Sequence, residues 1–206
     1  MRARLCALAA VSGLAVAAFP AHAATTKPKP QITDPTGDAN GINGQSIVNG
    51  LPSVGTGPAE FAPADITSVT FASTFTTKKV HGRVIKTPTG FTLTLALAAA
   101  PTDPEVEYRV SAAAAGCTNV FFEYGTDVAT HGSDVRCPAS VAASKAYTAG
   151  PAKVSGNTIT WTLSTKAFPV GTTFSSLNAQ TRFNPAIITA PAFDDASSSG
   201  TFTVGK

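Results

Sequence analysis

The feature that most constrains this chain is alternation with a two-residue period. In "GFTLTLALA", Phe91, Leu93, Leu95 and Leu97 point one way, and Thr92, Thr94, Ala96 and Ala98 the other. "EVEYRVS" sets Val106, Tyr108 and Val110 against Glu105, Glu107 and Arg109. "NTITWTL" sets Ile159, Trp161 and Leu163 against threonines, "VTFASTF" aligns Val69, Phe71 and Phe75, and "TFTV" aligns Phe202 and Val204. Such a period, with one polar face, is the pattern of antiparallel sheet with one side in a core. Thr, Val and Phe suit pleated surfaces. The expected fold is all-β, an antiparallel β-sandwich of about eight to ten strands from Ile66 to Val204. Turns are expected at Thr87-Pro88-Thr89-Gly90 and at Ser155-Gly156-Asn157, where Gly-Asn suits a tight hairpin. A short helix is expected, if anywhere, within residues 139–149 or 164–168.

The amino-terminal end has a different logic. Arg2 and Arg4 precede an apolar run from Leu5 to Phe19, followed by Ala21-His22-Ala23. That is the layout of a secretory signal peptide, and the run is too short for a stable bilayer span. The expected organisation is a signal peptide over residues 1–23, a tether over 24–33 and one β-sandwich domain over 34–206. The expected product is a secreted, extracellular monomer with no membrane anchor after cleavage. Losing Arg2 and Arg4 from the 15 basic residues leaves 13 against 12 acidic ones, so the net charge falls near +1. With no block of like charge along the chain, nucleic acid is not an expected partner. Cleavage also removes Cys6. Cys117 and Cys137 then remain as an even pair, expected to form a disulfide in an oxidising compartment.

One stretch resists the strand pattern. From Asp34 to Ala64, beginning "DPTGDANGINGQSIVNGLPSV", there is little alternation. A segment of that length inside a compact domain needs something to tie it down. Asp34, Asp38 and Asn40 stand at i, i+4 and i+6, with Gly37 and Gly41 letting the backbone curl. Oxygen ligands on a glycine-bearing loop suit calcium, which takes about six to eight oxygens. Asp65 could reach the same site, as could Asp194 or Asp195 if the last strands lie beside the first. The spacing does not match an EF-hand loop. Asx turns alone are the simpler account of the composition, because Asp, Asn, Gly and Pro cluster wherever a backbone turns.

The segments "TDPTGDANG", "PADITSVTF" and the closing "DDASSSGTFTVGK" resemble secreted bacterial β-sandwich modules of the DOMON-like class. That class includes family-nine carbohydrate-binding modules and the carboxy-terminal module of glucodextranase. The resemblance implies a jelly-roll-like sandwich with Asp34, Asp38 and Asp65 as calcium ligands. It also implies a polysaccharide partner, yet the chain has one Trp and three Tyr. Trp161 is in phase with core positions, and so is Tyr108. Neither is placed as a sugar platform.

Catalytic constellations are scarce. His131, Ser133 and Asp134 form a triad only in print, since triad members must converge in space. Glu105 and Glu107 are expected on an open, solvated face, without the apolar pocket that raises an acid's pKa. His81 is expected on a strand's solvent face. No nucleotide, zinc-protease or nucleophile-elbow fingerprint is present. The expected function is therefore a non-catalytic secreted module binding carbohydrate or another extracellular ligand. A cell-envelope structural or interaction protein is the alternative, and a secreted hydrolase comes last.

Overall fold

A computed structural model describes residues 27–39, 62–102, 106–125, 132–137, 145–146, 152–183 and 192–206. The strands run in chain order as β1 (Ile32–Thr33), β2 (Ile66–Val80), β3 (Arg83–Leu97), β4 (Val106–Ala114), β5 (Cys117–Gly125) and β6 (Gly132–Cys137). They continue as β7 (Lys145–Ala146), β8 (Lys153–Ser155), β9 (Thr158–Ser164), β10 (Thr173–Phe183), β11 (Ala192–Ser198) and β12 (Phe202–Thr203). There is no helix among the described residues. One sheet has the order β1-β2-β3-β9-β8; the other has the order β11-β10-β4-β5-β6-β7, with β12 beside β10. Every pairing is antiparallel. The two sheets share one apolar interior, so the fold is a β-sandwich. The strands beyond the expected eight to ten are short ones. β1, β7 and β12 have two residues each and β8 three, too few to show a period.

Alternation becomes burial. Phe91, Leu93, Leu95, Leu97, Val110, Ile159 and Trp161 are all fully buried, and Tyr108 and Leu163 nearly so. The intervening threonines face outward, some pairing across strands as Thr94 does with Thr160. Phe71 and Phe91 from one sheet meet Phe174 from the other at ring-centroid distances of 5.6 and 5.2 Å. Phe168 and Phe202 close this aromatic layer at 5.0 Å from Phe174 and 5.3 Å from Phe71. Each such ring contributes about 1.5–3 kcal/mol by leaving water. Trp161 enters the core without an orphaned donor, because its Nε1–H donates to the Glu123 carbonyl at 3.3 Å.

The disulfide forms between Cys117 and Cys137, whose Cα atoms lie 5.9 Å apart. It ties the start of β5 to the end of β6. The hairpin at Gly156-Asn157 also forms, with Ser155 paired to Thr158 and Gly156 at φ 57°.

Several expectations are corrected. The tether ends early: Ile32 is buried and pairs with Val69, so the sheet begins inside residues 24–33. Residues 87–90 are not a turn, because β3 runs straight through them. Gly90 is needed there for close approach; a Cβ would overlap the Leu163 carbonyl oxygen. Phe75 does not join Val69 and Phe71 in the core and is 39% exposed, because the register shifts after Thr74 and β2 leaves the sandwich. His81 stands in a turn rather than on a strand, at φ 48°. Residues 164–168 form a turn closed by the Ala167 and Phe168 N–H groups on the Ser164 carbonyl, not a helix. Most of residues 139–149 lie outside the described residues.

Candidate metal centre

The β1 edge of one sheet lies against the β11 edge of the other, and carboxylates gather at that seam. Three local devices place them. The Gln31 carboxamide clamps β1 onto β2, its Oε1 accepting from Phe71 N–H at 2.6 Å and its Nε2 donating to the Phe71 carbonyl at 3.4 Å. Asp34 follows directly, its N–H bonded to the Thr67 carbonyl at 3.0 Å. The chain then turns at Thr36-Gly37, where Gly37 takes φ 87°, a conformation glycine adopts without strain. That turn carries Asp38 back toward Asp34.

Asp194 arrives from the other end of the chain. It alternates with Asp195 on β11, so one faces inward and the other outward. One carboxylate oxygen from each of Asp34, Asp38 and Asp194 lies within 4.8 Å of the others. Calcium sits about 2.3–2.6 Å from its oxygens, so ligands across it are up to about 5 Å apart. One ion can therefore touch all three.

Asp65 adjoins this group from the start of β2. It is only 3% exposed. Its Oδ2 accepts from Gly37 N–H at 2.6 Å, while its Oδ1 is buried with no hydrogen-bond partner. Asp34 Oδ2 is likewise buried and unpartnered. Asp194 is held rigidly: its Oδ2 accepts from Ile66 N–H at 2.6 Å and its Oδ1 from Asp195 N–H at 2.8 Å. None of the ion pairs among the described residues involves these aspartates. A buried carboxylate without a counter-charge is costly and drifts toward its neutral form.

That drift is present. Burial, and then the charges of Asp194 and Asp38, push the Asp34 carboxyl up to about 6. Asp34 also lies near enough to Asp194 to share a proton with it. Burial raises Asp65, against the Gly37 N–H that lowers it, and burial raises Asp194, against the Ile66 N–H. A divalent cation reverses these shifts by neutralising the charge that causes them.

Of the expected ligand residues, Asp34, Asp38 and Asp194 converge and Asp65 stands beside them. Asn40 lies outside the described residues. Asp195 is not in the cluster: it faces out and accepts from the Asn178 and Gln180 carboxamides. Sequence reasoning missed the backbone donors of Gly37 and Ile66, which carry no side-chain signature.

A second charged group lies on the outer face of the β11-to-β7 sheet. Glu107, 7% exposed, is paired with Arg109 at 2.8 Å and Arg182 at 3.3 Å. Glu123 is paired with Arg109 and Arg136, and Arg109 also lies over the Phe121 ring at 4.5 Å from its centroid. Glu107 is thus not a solvated side chain; Glu105 lies outside the described residues. Burial, aided by the neighbouring Glu107 and opposed by Arg136, pushes Glu123 up to about 7. The register explains the ladder, since Arg182 faces Glu107 and Arg109 faces Glu123. Cross-strand pairing of opposite charges is a packing device.

Ser133 and Asp134 are consecutive on β6 and project to opposite faces. The Ser133 hydroxyl oxygen accepts from Ala152 N–H at 2.8 Å, and Asp134 faces Arg136 at 3.5 Å. His131 lies outside the described residues. Comparison with family models, with curated proteins and with solved structures finds no match to this chain.

Proposed function

We propose that this chain is an exported, non-catalytic β-sandwich module in which a calcium ion clips the amino-terminal segment to the penultimate strand. The observation that carries this is the buried Oδ1 of Asp65, without a hydrogen-bond partner, beside the converging oxygens of Asp34, Asp38 and Asp194. Calcium supplies the positive charge that the seam lacks. Asp34, Asp38 and Asp194 hold it, with Asp65 beside them braced by Gly37. The ion's role is structural, because the cluster joins residues far apart in sequence.

The module's ligand is an extracellular carbohydrate or another envelope component. Planar polar groups on the outer sheet face support a sugar-binding reading, namely Asp195, Asn178 and Gln180 beside the Glu107–Arg109–Glu123 ladder. The burial of Trp161 and Tyr108 favours the second reading, an envelope interaction protein without a small ligand, because the usual stacking rings are spent in the core. Calorimetric titration of chelated protein with calcium tests the clip, and absence of any binding heat or melting shift would remove it. Retention on cell-wall and plant polysaccharides tests the ligand, and failure on every polysaccharide would leave the envelope reading.

A further inference from the structure

β2 and β3 are 15 residues each, longer than the sandwich requires. β1 covers β2 only at Ser68 and Val69, and β9 covers β3 only from Gly90 to Ala96. Beyond those points, residues 75–80 and 83–88 pair with each other alone among the described strands. The result is a projecting two-stranded ribbon. At about 3.3 Å per residue it extends roughly 20 Å. His81 at φ 48° and Gly82 at φ 79° close it as a two-residue turn with both central residues left-handed, which matches the twist of the flanking strands.

The ribbon is unusual in charge and in polarity. Lys78, Lys79, Arg83 and Lys86 are all exposed, and no Asp or Glu occurs between Asp65 and Asp103. None of these cations takes part in an ion pair with the described residues. The hairpin folds charge that is spread along the chain into one tip. Between the cations stand Val84 and Ile85, exposed by 64% and 49%, while Phe75, exposed by 39%, stands at the ribbon's base opposite Pro88. The register sets Lys78 opposite Ile85 and Lys79 opposite Val84. Directly opposed residues share a face, so each face of the ribbon carries an ammonium beside an aliphatic side chain.

We propose that this ribbon docks end-on on an anionic lipid bilayer, its cations against headgroup phosphates and Val84 and Ile85, one from each face near the turn, in the acyl boundary. Two observations together select this partner. Four unpaired cations call for a dense anionic surface. The exposed Val84 and Ile85 side chains near the turn call for somewhere dry, which a soluble polyanion does not offer and a bilayer interface does. A ribbon paired on one side only is marginal in water and gains from a surface that covers it. This docking is peripheral and independent of the calcium reading.

The test is flotation of the chain from Ala24 onward, which holds every described element and omits the apolar run that begins at Leu5. Vesicles of equal phosphatidylglycerol and phosphatidylcholine are compared with phosphatidylcholine alone and with soluble dextran sulfate. The expected result is flotation with the anionic vesicles only, weakening as salt rises. Each Lys or Arg changed to Gln should weaken it roughly fivefold, and the quadruple variant K78Q/K79Q/R83Q/K86Q should not float. V84S/I85S should weaken flotation tenfold or more while leaving any dextran sulfate binding and the melting midpoint unchanged. The midpoint is the control for folding, since the ribbon lies outside the core. No flotation with anionic vesicles overturns the proposal. So does full flotation of V84S/I85S together with tight dextran sulfate binding, which would make the partner a polyanion.

Discussion

Asp194 accepts a hydrogen bond from the backbone N–H of Ile66 at 2.6 Å, across 128 positions of sequence. Ile66 opens β2 in one sheet and Asp194 lies on β11 in the other. A single carboxylate thus joins the two sheets at the seam where the acidic cluster sits. Thr181 reinforces the seam, its hydroxyl donating to the Ala64 carbonyl at 2.6 Å.

That carboxylate has two separable jobs. Asp194→Ala orphans a buried N–H and should cost about 1–3 kcal/mol even in chelator. Asp194→Asn keeps an acceptor oxygen for Ile66 but gives up the charge and the oxygen that accepts from Asp195 N–H. In chelator it should melt above the Ala variant, because the Ile66 N–H keeps its partner and repulsion with Asp34 is relieved. With calcium present it should fall below. Urea titrations of the three proteins with and without chelator separate the effects; equal behaviour of the Asn and Ala variants in chelator would refute the separation.

Removing calcium from the wild type should lower the melting midpoint. At a free calcium concentration about 100 times the dissociation constant, the ion contributes roughly 2.7 kcal/mol. For a chain of this size that corresponds to about 5–10 °C. Asp38→Ala should show the same loss and no longer respond to chelator. Superimposable melts with and without chelator would return the loop to plain turn chemistry.

The chelator effect should depend on pH. In the ion-free protein Asp34 is raised from 3.8 to about 6, so between those values the folded state binds more protons than the unfolded state. Asp34's contribution to ion-free stability is therefore fullest below about 3.8 and declines as pH rises through 6. Calcium competes with those protons and binds above this range. Chelator should shift the midpoint at pH 7.5 and leave it nearly unchanged at pH 4.5. A shift of equal size at both values would mean that protons and calcium do not share the site.

Gly90→Ala should destabilise the protein by roughly 1–3 kcal/mol. The new methyl would meet the Leu163 carbonyl oxygen, which is backbone and cannot swing aside. The β3–β9 ladder pairs Gly90 with Ser164, so relief requires that strand pair to open at its end. Chemical denaturation measures the loss, and a variant as stable as the wild type would show that the strands can slide.

Reduction of the Cys117–Cys137 bond, which closes a separation of 20 residues, should cost about 3 kcal/mol, the entropy the unfolded chain regains when that closure is lifted. The double Ser variant should match the reduced protein within about 1 kcal/mol. An unchanged urea midpoint after reduction would mean that the closure does not restrict the unfolded chain.

The sandwich was legible because its code is local. Leu93, Leu95 and Leu97 advertise an inner face by period alone, and Trp161 declares itself core by its phase with Ile159 and Leu163. The disulfide was legible from cysteine count and expected compartment. The acidic seam was half legible. Asp34 and Asp38 share one turn, so spacing exposed them, whereas Asp194 depends on which strand edges meet. Asp194 and Asp195 are indistinguishable as adjacent letters, and only the β10–β11 register decides which faces inward.

The remaining features depend on where strands end relative to their partners, which no local pattern encodes. Phe75 continues the phase of Phe71, yet it leaves the core because the neighbouring strands stop short of it. Glu107 reads as a solvated acid, yet Arg109 and Arg182 enclose it from its own and the adjacent strand. Alternation is a property of one strand and was settled by the sequence alone. Burial, pairing and charge clustering are properties of neighbours, and only the tertiary structure supplied those.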